Sequence, residues 1–110
     1  MEPIILITTT TGNREALEKM GRHLVAGRLV ACIQIIGPVK SIYWWKDKIE
    51  ETEEWVGLMK TRRSLYARVE AEIRALHTYE LPEIVAFEAA DMLLPYREWV
   101  RNETRAGQKT

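Results

Sequence analysis

The sequence predicts an α+β fold with the element order β-α-β-β-α-β, followed by a short C-terminal helix. Three observations support this prediction. Strand-like segments rich in β-branched residues alternate with two amphipathic helical segments, two long strand segments flank one polar turn, and 110 residues give room for one domain. Two split β-α-β units of this kind form a four-stranded antiparallel sheet with two helices on one face, the ferredoxin-like arrangement.

The first unit consists of a strand at 4–10 and a helix at 14–26. Both alternating faces of the segment IILITTT are apolar at its start, which is typical of a strand buried on both sides. Asn13 can cap the helix at its start and Gly27 can end it. Apolar side chains recur in between at helical spacing. They are Leu17, Met20, Leu24 and Val25.

A long hairpin follows. We expect a strand at 29–36 that bends at Gly37-Pro38 and resumes at 39–45, a polar tip near 46–52, and a returning strand that runs to 63. The acidic run at the tip is expected to be solvated, because clustered like charges repel. It comprises Glu50, Glu51, Glu53 and Glu54.

The last third repeats the pattern. Ser64 is expected to cap a helix at 65–76, a loop covers 77–82, and a strand covers 83–88. Pro95 suits the first turn of a short helix. We expect one domain over 1–102 and a flexible polar tail over 103–110.

Composition excludes several classes of protein. Sixteen basic and sixteen acidic residues give a formal net charge of zero, which argues against a nucleic-acid-binding protein. No apolar run reaches the ~18 residues that a membrane span needs, and the N-terminus lacks the pattern of a signal peptide. The single cysteine, Cys32, cannot form an internal disulfide. We therefore expect a cytoplasmic location, with neither membrane nor nucleic acid as a partner.

Two helices can cover only one face of such a sheet, yet several strands are apolar on both faces. A lone subunit would leave a large apolar patch uncovered, so we expect a homo-oligomer in which the hairpin reaches onto a neighbouring copy. The interface is assigned to the aromatic side chains of the hairpin, which are Tyr43, Trp44, Trp45 and Trp55. The alternative is that the C-terminal helix and tail cover the second face and the tryptophans pack locally.

Four stretches resemble the CutA family of divalent-cation-tolerance proteins. In chain order they are LVACIQIIGPVKSIYWWKDKIEETEE, MKTRR, LHTYELPEI and the terminal PYREWV. The resemblance implies a ferredoxin-like subunit, a tight cytoplasmic homotrimer similar in plan to the PII signalling proteins, and an association with copper or other divalent cations.

Two residues are candidate metal ligands. Cys32 suits a soft ion, although a buried cysteine is more often a small apolar residue. His77 follows a helix, where it can either interact with the helix dipole or bind copper. The resemblance favours His77 as a ligand. This chain departs from the family at two further ligand positions. It has Thr9 or a neighbouring threonine at one of them and Leu76 at the other.

A second candidate site is a ligand cleft between subunits. The matching motifs place five residues there, namely Lys60, Thr61, Tyr79, Glu80 and Trp99. Lys60 stands among apolar neighbours and needs a carboxylate partner, for which Glu80 and Glu83 are candidates. The simpler interpretation is an inter-subunit ion pair. The functional interpretation is a small cleft that takes an anionic or metal-bound ligand.

No phosphate-binding, zinc-protease or nucleophile-elbow motif occurs in the sequence. The family resemblance implies the first hypothesis, a non-enzymatic divalent-cation (copper) tolerance protein that binds metal weakly through His77. The alternative is a PII-like signalling or scaffold trimer whose cleft binds a small anion or an unidentified protein partner. A third hypothesis, a thiol enzyme, requires a reactive Cys32.

Overall fold

Four antiparallel strands and three helices follow one another in the order that the sequence predicts, which confirms the α+β, ferredoxin-like class. The computed structural model of the protein describes residues 2–105. A short 3-10 helix, Arg63–Leu65, separates the third strand from the second helix. The elements are β1 (Ile4–Thr11), α1 (Arg14–Ala26), β2 (Cys32–Trp45), β3 (Lys48–Arg62), α2 (Tyr66–Leu76), β4 (Ile84–Glu88) and α3 (Leu94–Glu103).

The ends of α1 form as the sequence predicts. The Asn13 side chain accepts a hydrogen bond from the Ala16 N–H at 3.0 Å, and the Gly27 N–H donates to the His23 carbonyl at 3.0 Å. These bonds satisfy backbone groups that a helix leaves unpaired at its two ends.

The predicted starts of β2 and α2 were wrong. Strand β2 begins at Cys32 instead of Leu29, because Leu29 and Val30 belong to the turn after α1 and are buried in the core. Their N–H groups donate to the Leu24 carbonyl. Ser64 does not cap α2, since it lies inside the 3-10 helix and its hydroxyl donates to the Glu2 carboxylate.

The sheet has the order β2-β3-β1-β4, so β1 lies in its interior and β2 and β4 form its edges. Ile7, for example, pairs with Met59 on one side and with Ala86 on the other. Strand β3 continues past the end of β1, and its residues 48–54 pair only with β2. This two-stranded extension, residues 39–54, is called the arm below.

A two-residue turn closes the arm. Lys46 and Asp47 both have positive φ angles, 49° and 63°. Two consecutive left-handed residues give the turn whose twist matches that of the flanking strands. The tip is therefore shorter than the predicted span of 46–52, because Lys48 already pairs with Trp45.

The core lies between α1, α2 and one face of the sheet. Burial of one large apolar side chain contributes ~1.5–3 kcal/mol to folding, so these residues hold the subunit together. The cluster consists of Ile5, Ile7, Leu17, Met20, Leu24, Leu29, Val30, Met59, Leu65, Val69 and Ile73.

The opposite sheet face is called the open face. Helix α3 packs on the end of this face near β1 and β3, where Ile4 and Val100 are buried. The rest stays uncovered, and Ile36, Val85 and Phe87 are 52%, 40% and 55% exposed. The C-terminal helix thus covers the second face only in part.

The end of the chain was predicted to be a tail from residue 103. Glu103 is the last residue of α3, and Thr104 is buried and donates its hydroxyl hydrogen to the Val100 carbonyl at 2.7 Å. The remainder of the predicted tail, 106–110, lies outside the described residues. Within residues 2–105, no helix combines the length and the apolar character that crossing a membrane requires.

Candidate functional site

A cleft opens where the arm leaves the sheet and the loop 77–83 passes beside it. Its volume is about 690 Å³. We call it the arm cleft. Its lining residues are Thr10, Ser41, Ile42, Tyr43, Trp44, Trp45, Thr52, Glu54, Tyr79, Glu80, Leu81 and Glu83.

A hydrogen bond between Tyr79 and Glu54 lies in this cleft. The Tyr79 hydroxyl donates to Oε2 of Glu54 at 2.8 Å. Burial, followed by the bond to Glu54, raises the pKa of Tyr79 to about 12. The hydroxyl is therefore protonated at neutral pH and donates to the carboxylate.

The expectation that Glu54 belongs to a solvated acidic tip was wrong. Glu54 is only 5% exposed. It pairs with Val39 in the β2–β3 ladder and lies on the same face as Val56 and Leu58. The alternation of side chains along β3 could have predicted the burial of Glu54, because a residue two positions before Val56 lies on the same face as Val56.

Hydrogen bonds occupy both ring nitrogens of His77, one to β1 and one within the loop. Nε2 lies 2.7 Å from the carbonyl oxygen of Thr10, and Nδ1 accepts the Tyr79 N–H at 3.0 Å. A carbonyl can only accept and a backbone N–H can only donate, so these partners assign the neutral ring with its hydrogen on Nε2. Nδ1 is therefore the only ring nitrogen with a lone pair, and a hydrogen bond already occupies it.

Cys32 lies far from His77. It is half-buried at the start of β2 and pairs with Lys60, which in turn pairs with Leu6 of β1. The carbonyl that bonds to His77 belongs to Thr10, four residues after Leu6 on β1. Cys32 and this bond are therefore about 13 Å apart along the strand direction. The two predicted metal ligands do not share a site within one chain.

The described residues do not build a closed metal site. Among residues 2–105, no group of three His, Cys, Asp or Glu side chains is arranged to hold an ion. Thr9 is one of the threonines near a further ligand position that the family resemblance implies, and its side chain points into the core. Its hydroxyl is buried and has no hydrogen-bond partner among the described residues.

The five residues predicted for the ligand cleft lie in three places. Tyr79 and Glu80 line the arm cleft. Lys60 lies beside α3, where its ammonium is 5.9 Å from the centre of the Tyr96 ring on which Trp99 stacks. Thr61 points to the opposite face and donates its hydroxyl hydrogen to the Leu29 carbonyl at 2.6 Å.

Lys60 also has a different partner from the carboxylates suggested by the sequence. Its ammonium donates to Oε1 of Gln34 at 2.9 Å. Glu80 lies instead 4.0 Å from the Lys46 ammonium, and Glu83 accepts the Thr8 hydroxyl hydrogen at 3.2 Å. Thr61 is fully buried on the filled face, so it cannot line a cleft with the other four residues.

The four aromatic residues assigned to the interface divide into two groups. Tyr43, Trp44 and Trp45 lie on the arm, and Trp44 is 71% exposed. Trp55 packs against the core of its own subunit, and the Arg14 guanidinium lies 5.2 Å from its ring centre. Trp55 therefore follows the local-packing alternative, and the other three remain available to a neighbour.

The chain is similar to proteins named for divalent-cation tolerance. The family model described as CutA1 divalent ion tolerance protein matches residues 5–103. A chloroplastic protein CutA 1 of Oryza sativa is 33% identical over 103 residues, which are 94% of this chain and 58% of that protein. The CutA of Thermotoga maritima is 35% identical over 89% of this chain and 96% of its own length.

Solved structures show the same likeness. The crystal structure of CutA1 from Oryza sativa has a TM-score of 0.91 at 33% identity and covers 94% of this chain and 95% of its own. The periplasmic divalent cation tolerance protein CutA from Archaeoglobus fulgidus has a TM-score of 0.89 at 32% identity, over 92% and 98%. The chain spans only slightly more than half of the full rice protein but nearly all of the Thermotoga one.

Proposed function

Because the chain belongs to the CutA1 family of divalent ion tolerance proteins, we propose that it serves divalent-cation tolerance in the cytoplasm as a homotrimer without enzymatic activity. The observation that carries the assembly in this proposal is the open face, where apolar side chains of the two edge strands, β2 and β4, stay uncovered. Exposed patches of this kind mark interaction surfaces.

Two further features support assembly. The outer sides of β2 and β4 have no strand partner within residues 2–105, and unpaired strand edges favour pairing with another copy. The arm face opposite Glu54 is also apolar, since Ile42, Trp44 and Ile49 are exposed on it. A neighbouring copy that covers the open face and the arm would bury the open face, the unpaired strand edges and the apolar face of the arm.

Native mass spectrometry at micromolar concentration tests the assembly. We expect one species with three times the mass of the 12.8 kDa chain. A single-chain species at that concentration contradicts the trimer.

Copper binding through His77 is the finer part of the proposal, and the hydrogen bonds define how it would occur. Nδ1 would bind the ion, because Nε2 carries the hydrogen that faces the Thr10 carbonyl. The ion must displace the Tyr79 N–H from Nδ1, and one chain supplies no group of three ligands among residues 2–105. Both facts predict weak binding. Cys32 could add a thiolate only from another copy.

Calorimetric titration with Cu(II) tests the role of His77. His77→Gln can keep the donor to Thr10 while removing the nitrogen that binds the ion, so we expect it to abolish the binding. His23→Gln is the matched control, because His23 is an exposed histidine paired at 3.5 Å with Glu72. Equal binding by the parent and His77→Gln removes His77 from the site.

A PII-like signalling or scaffold trimer is the second candidate, and the arm cleft is the observation that favours it. The lining contains three glutamates, which disfavours the anionic ligand expected from the sequence, at least in this cleft. A thermal-shift screen distinguishes the candidates, since a ligand at 100-fold over its Kd adds ~2.7 kcal/mol of stability. Stabilisation by divalent ions alone supports the first candidate, and stabilisation by an organic ligand supports the second.

A further inference from the structure

Two opposite charges on β3 lack an ionic partner within the chain. Glu54 and Lys60 are six residues apart, and alternate residues of a strand share a face, so both lie on the open face. Glu54 is 5% exposed, and Lys60 is half-buried. No ion pair among residues 2–105 includes either of them. Removing a charge from water is costly unless an opposite charge compensates.

The partners that each group does have are uncharged. The Lys60 ammonium donates to Oε1 of Gln34 at 2.9 Å and lies 5.9 Å from the centre of the Tyr96 ring. An ammonium has three hydrogens to donate, so donors remain. Oε2 of Glu54 accepts the hydrogen of the neutral Tyr79 hydroxyl, and Oε1 accepts no hydrogen bond from residues 2–105. A donor and an acceptor of opposite charge are therefore both available.

The two charges cannot meet within one subunit. Six residues of an extended strand span ~20 Å, whereas the atoms of an ion pair lie within ~4 Å of each other. Both side chains belong to the same continuous strand, so no change of side-chain conformation closes this gap. Only a second copy of the chain can bring a Lys60 to a Glu54.

The proposed assembly brings a second copy to this face. Apolar side chains surround the two charges on the open face, where Ile36, Val85 and Phe87 are exposed. A neighbour that covers them also removes the remaining water from Glu54 and Lys60, which increases the need for a counter-charge. Lys48 lies on the same face of β3, but it is exposed at the tip of the arm and can stay solvated.

We propose that Lys60 of one copy forms an ion pair with Glu54 of the neighbouring copy across the open face. Each copy then donates one Lys60 and one Glu54, so a closed ring of copies uses every charge once. The inference rests on the proposed assembly of identical copies, but the number of copies in the ring does not enter it.

This pair also connects assembly to the loop that carries the candidate metal ligand. Glu54 accepts the Tyr79 hydroxyl hydrogen, and the Tyr79 N–H donates to Nδ1 of His77. A lysine of the neighbour that fixes the Glu54 carboxylate therefore also fixes its bond to Tyr79. Tyr79 is a positioning residue in this arrangement.

Subunit exchange between ¹⁵N-labelled and unlabelled copies measures the contact. Native mass spectrometry follows it, in a denaturant concentration at which the parent exchanges over hours. Glu54→Gln keeps an acceptor for Tyr79 and leaves Lys60 unpaired, and Lys60→Met leaves Glu54 unpaired. We expect either variant to exchange at least about tenfold faster than the parent, because loss of one partner of a buried charge pair acts mainly on dissociation.

Two matched controls remove exposed charges from the same strand. Glu53→Gln acts on the opposite face of the arm, and Lys48→Met acts on the same face at its tip. Both should exchange within about twofold of the parent, because solvent screens exposed charges. If Lys48→Met speeds exchange and Lys60→Met does not, the inference is overturned.

A double-mutant cycle separates a direct pair from two independent effects. Glu54→Gln combined with Lys60→Met leaves no unpaired charge, so the double variant should exchange no faster than either single variant. Reversal of the pair, Glu54→Lys with Lys60→Glu, should likewise exchange more slowly than Lys60→Glu alone. Rate increases that simply multiply in the double variant overturn the inference, even where each single variant weakens the subunit.

The same spectra distinguish this inference from the proposed function. A parent protein that is a single chain contradicts both. A trimeric parent in which the two substitutions act independently overturns the inference while the trimer stands. An assembly of two or four copies with coupled substitutions supports the inference and contradicts the trimer.

Discussion

The two faces of the sheet are both apolar, but only the face under α1 and α2 is filled. On the filled face, Ile5, Ile7 and Met59 are at most 1% exposed. On the open face, Val85 and Phe87 of the edge strand are largely uncovered. Residues adjacent along one strand point to opposite faces. The same strands can therefore stabilise the subunit on one side and present a surface to partners on the other.

The largest effect is expected on the filled face. Ile7→Ala removes a fully buried side chain at the centre of the sheet and leaves a cavity. We expect the free energy of unfolding to fall by about 2–5 kcal/mol, measured by chemical denaturation at fixed protein concentration. Lys40→Ala on the exposed arm is the control and should change stability little. A loss below ~1 kcal/mol for Ile7→Ala contradicts the filled-face assignment.

The open face should respond through assembly. Phe87→Ala removes a half-exposed side chain that we assign to the contact between copies. We expect a weakening of association on the order of 1–2 kcal/mol per subunit, because a neighbour would bury the remaining apolar surface. Sedimentation across a range of protein concentrations measures it. Dissociation constants that match between Phe87→Ala and the parent would exclude this face from the interface.

Replacing either of two buried threonines of the filled face with valine should change the free energy of unfolding, in opposite directions for the two sites. Thr61→Val breaks the 2.6 Å bond to the Leu29 carbonyl and leaves that oxygen buried, at a cost of about 1–3 kcal/mol. Thr9→Val replaces a buried hydroxyl that has no partner among residues 2–105, so it should stabilise by about 1 kcal/mol. Each variant is the control for the other in chemical denaturation. A destabilising Thr9→Val would mean that its hydroxyl has a partner in the assembled protein.

Most of the fold could be predicted because periodicity is a local property of the sequence. The run of β-branched and apolar residues in 4–10 and the helical spacing in 14–26 each specify an element without knowledge of the rest. The errors arose where an individual hydrogen bond, and not the periodicity of apolar residues, decides the outcome. Leu29 turns inward because its N–H returns to Leu24, and Ser64 bonds to Glu2, 62 residues away.

The candidate site was less predictable for the same reason. The family resemblance identified Tyr79 and Glu80, but it grouped Lys60 with Thr61, although neighbours along one strand point to opposite faces. Glu54 was missed because a run of glutamates suggested solvent. Its burial depends on Tyr79, which reaches it from a loop 25 residues further along the chain.

The smallest effect is expected at the junction between the arm and the open face, from the ionisation of Tyr79. Its pKa is raised from the ordinary 10.0 to about 12, so the folded state binds this proton more tightly than the unfolded state. The associated stability is complete below pH 10 and is lost as the pH rises towards about 12. Because Tyr79 is 38% exposed, solvent screens the effect.

In denaturation experiments between pH 10 and about pH 12, the parent should lose stability faster than Tyr79→Phe. Tyr43→Phe is the control, since Tyr43 does not bond to Glu54, and it should follow the parent. Parallel curves for the parent and Tyr79→Phe would mean that the Glu54 bond does not hold the proton on Tyr79.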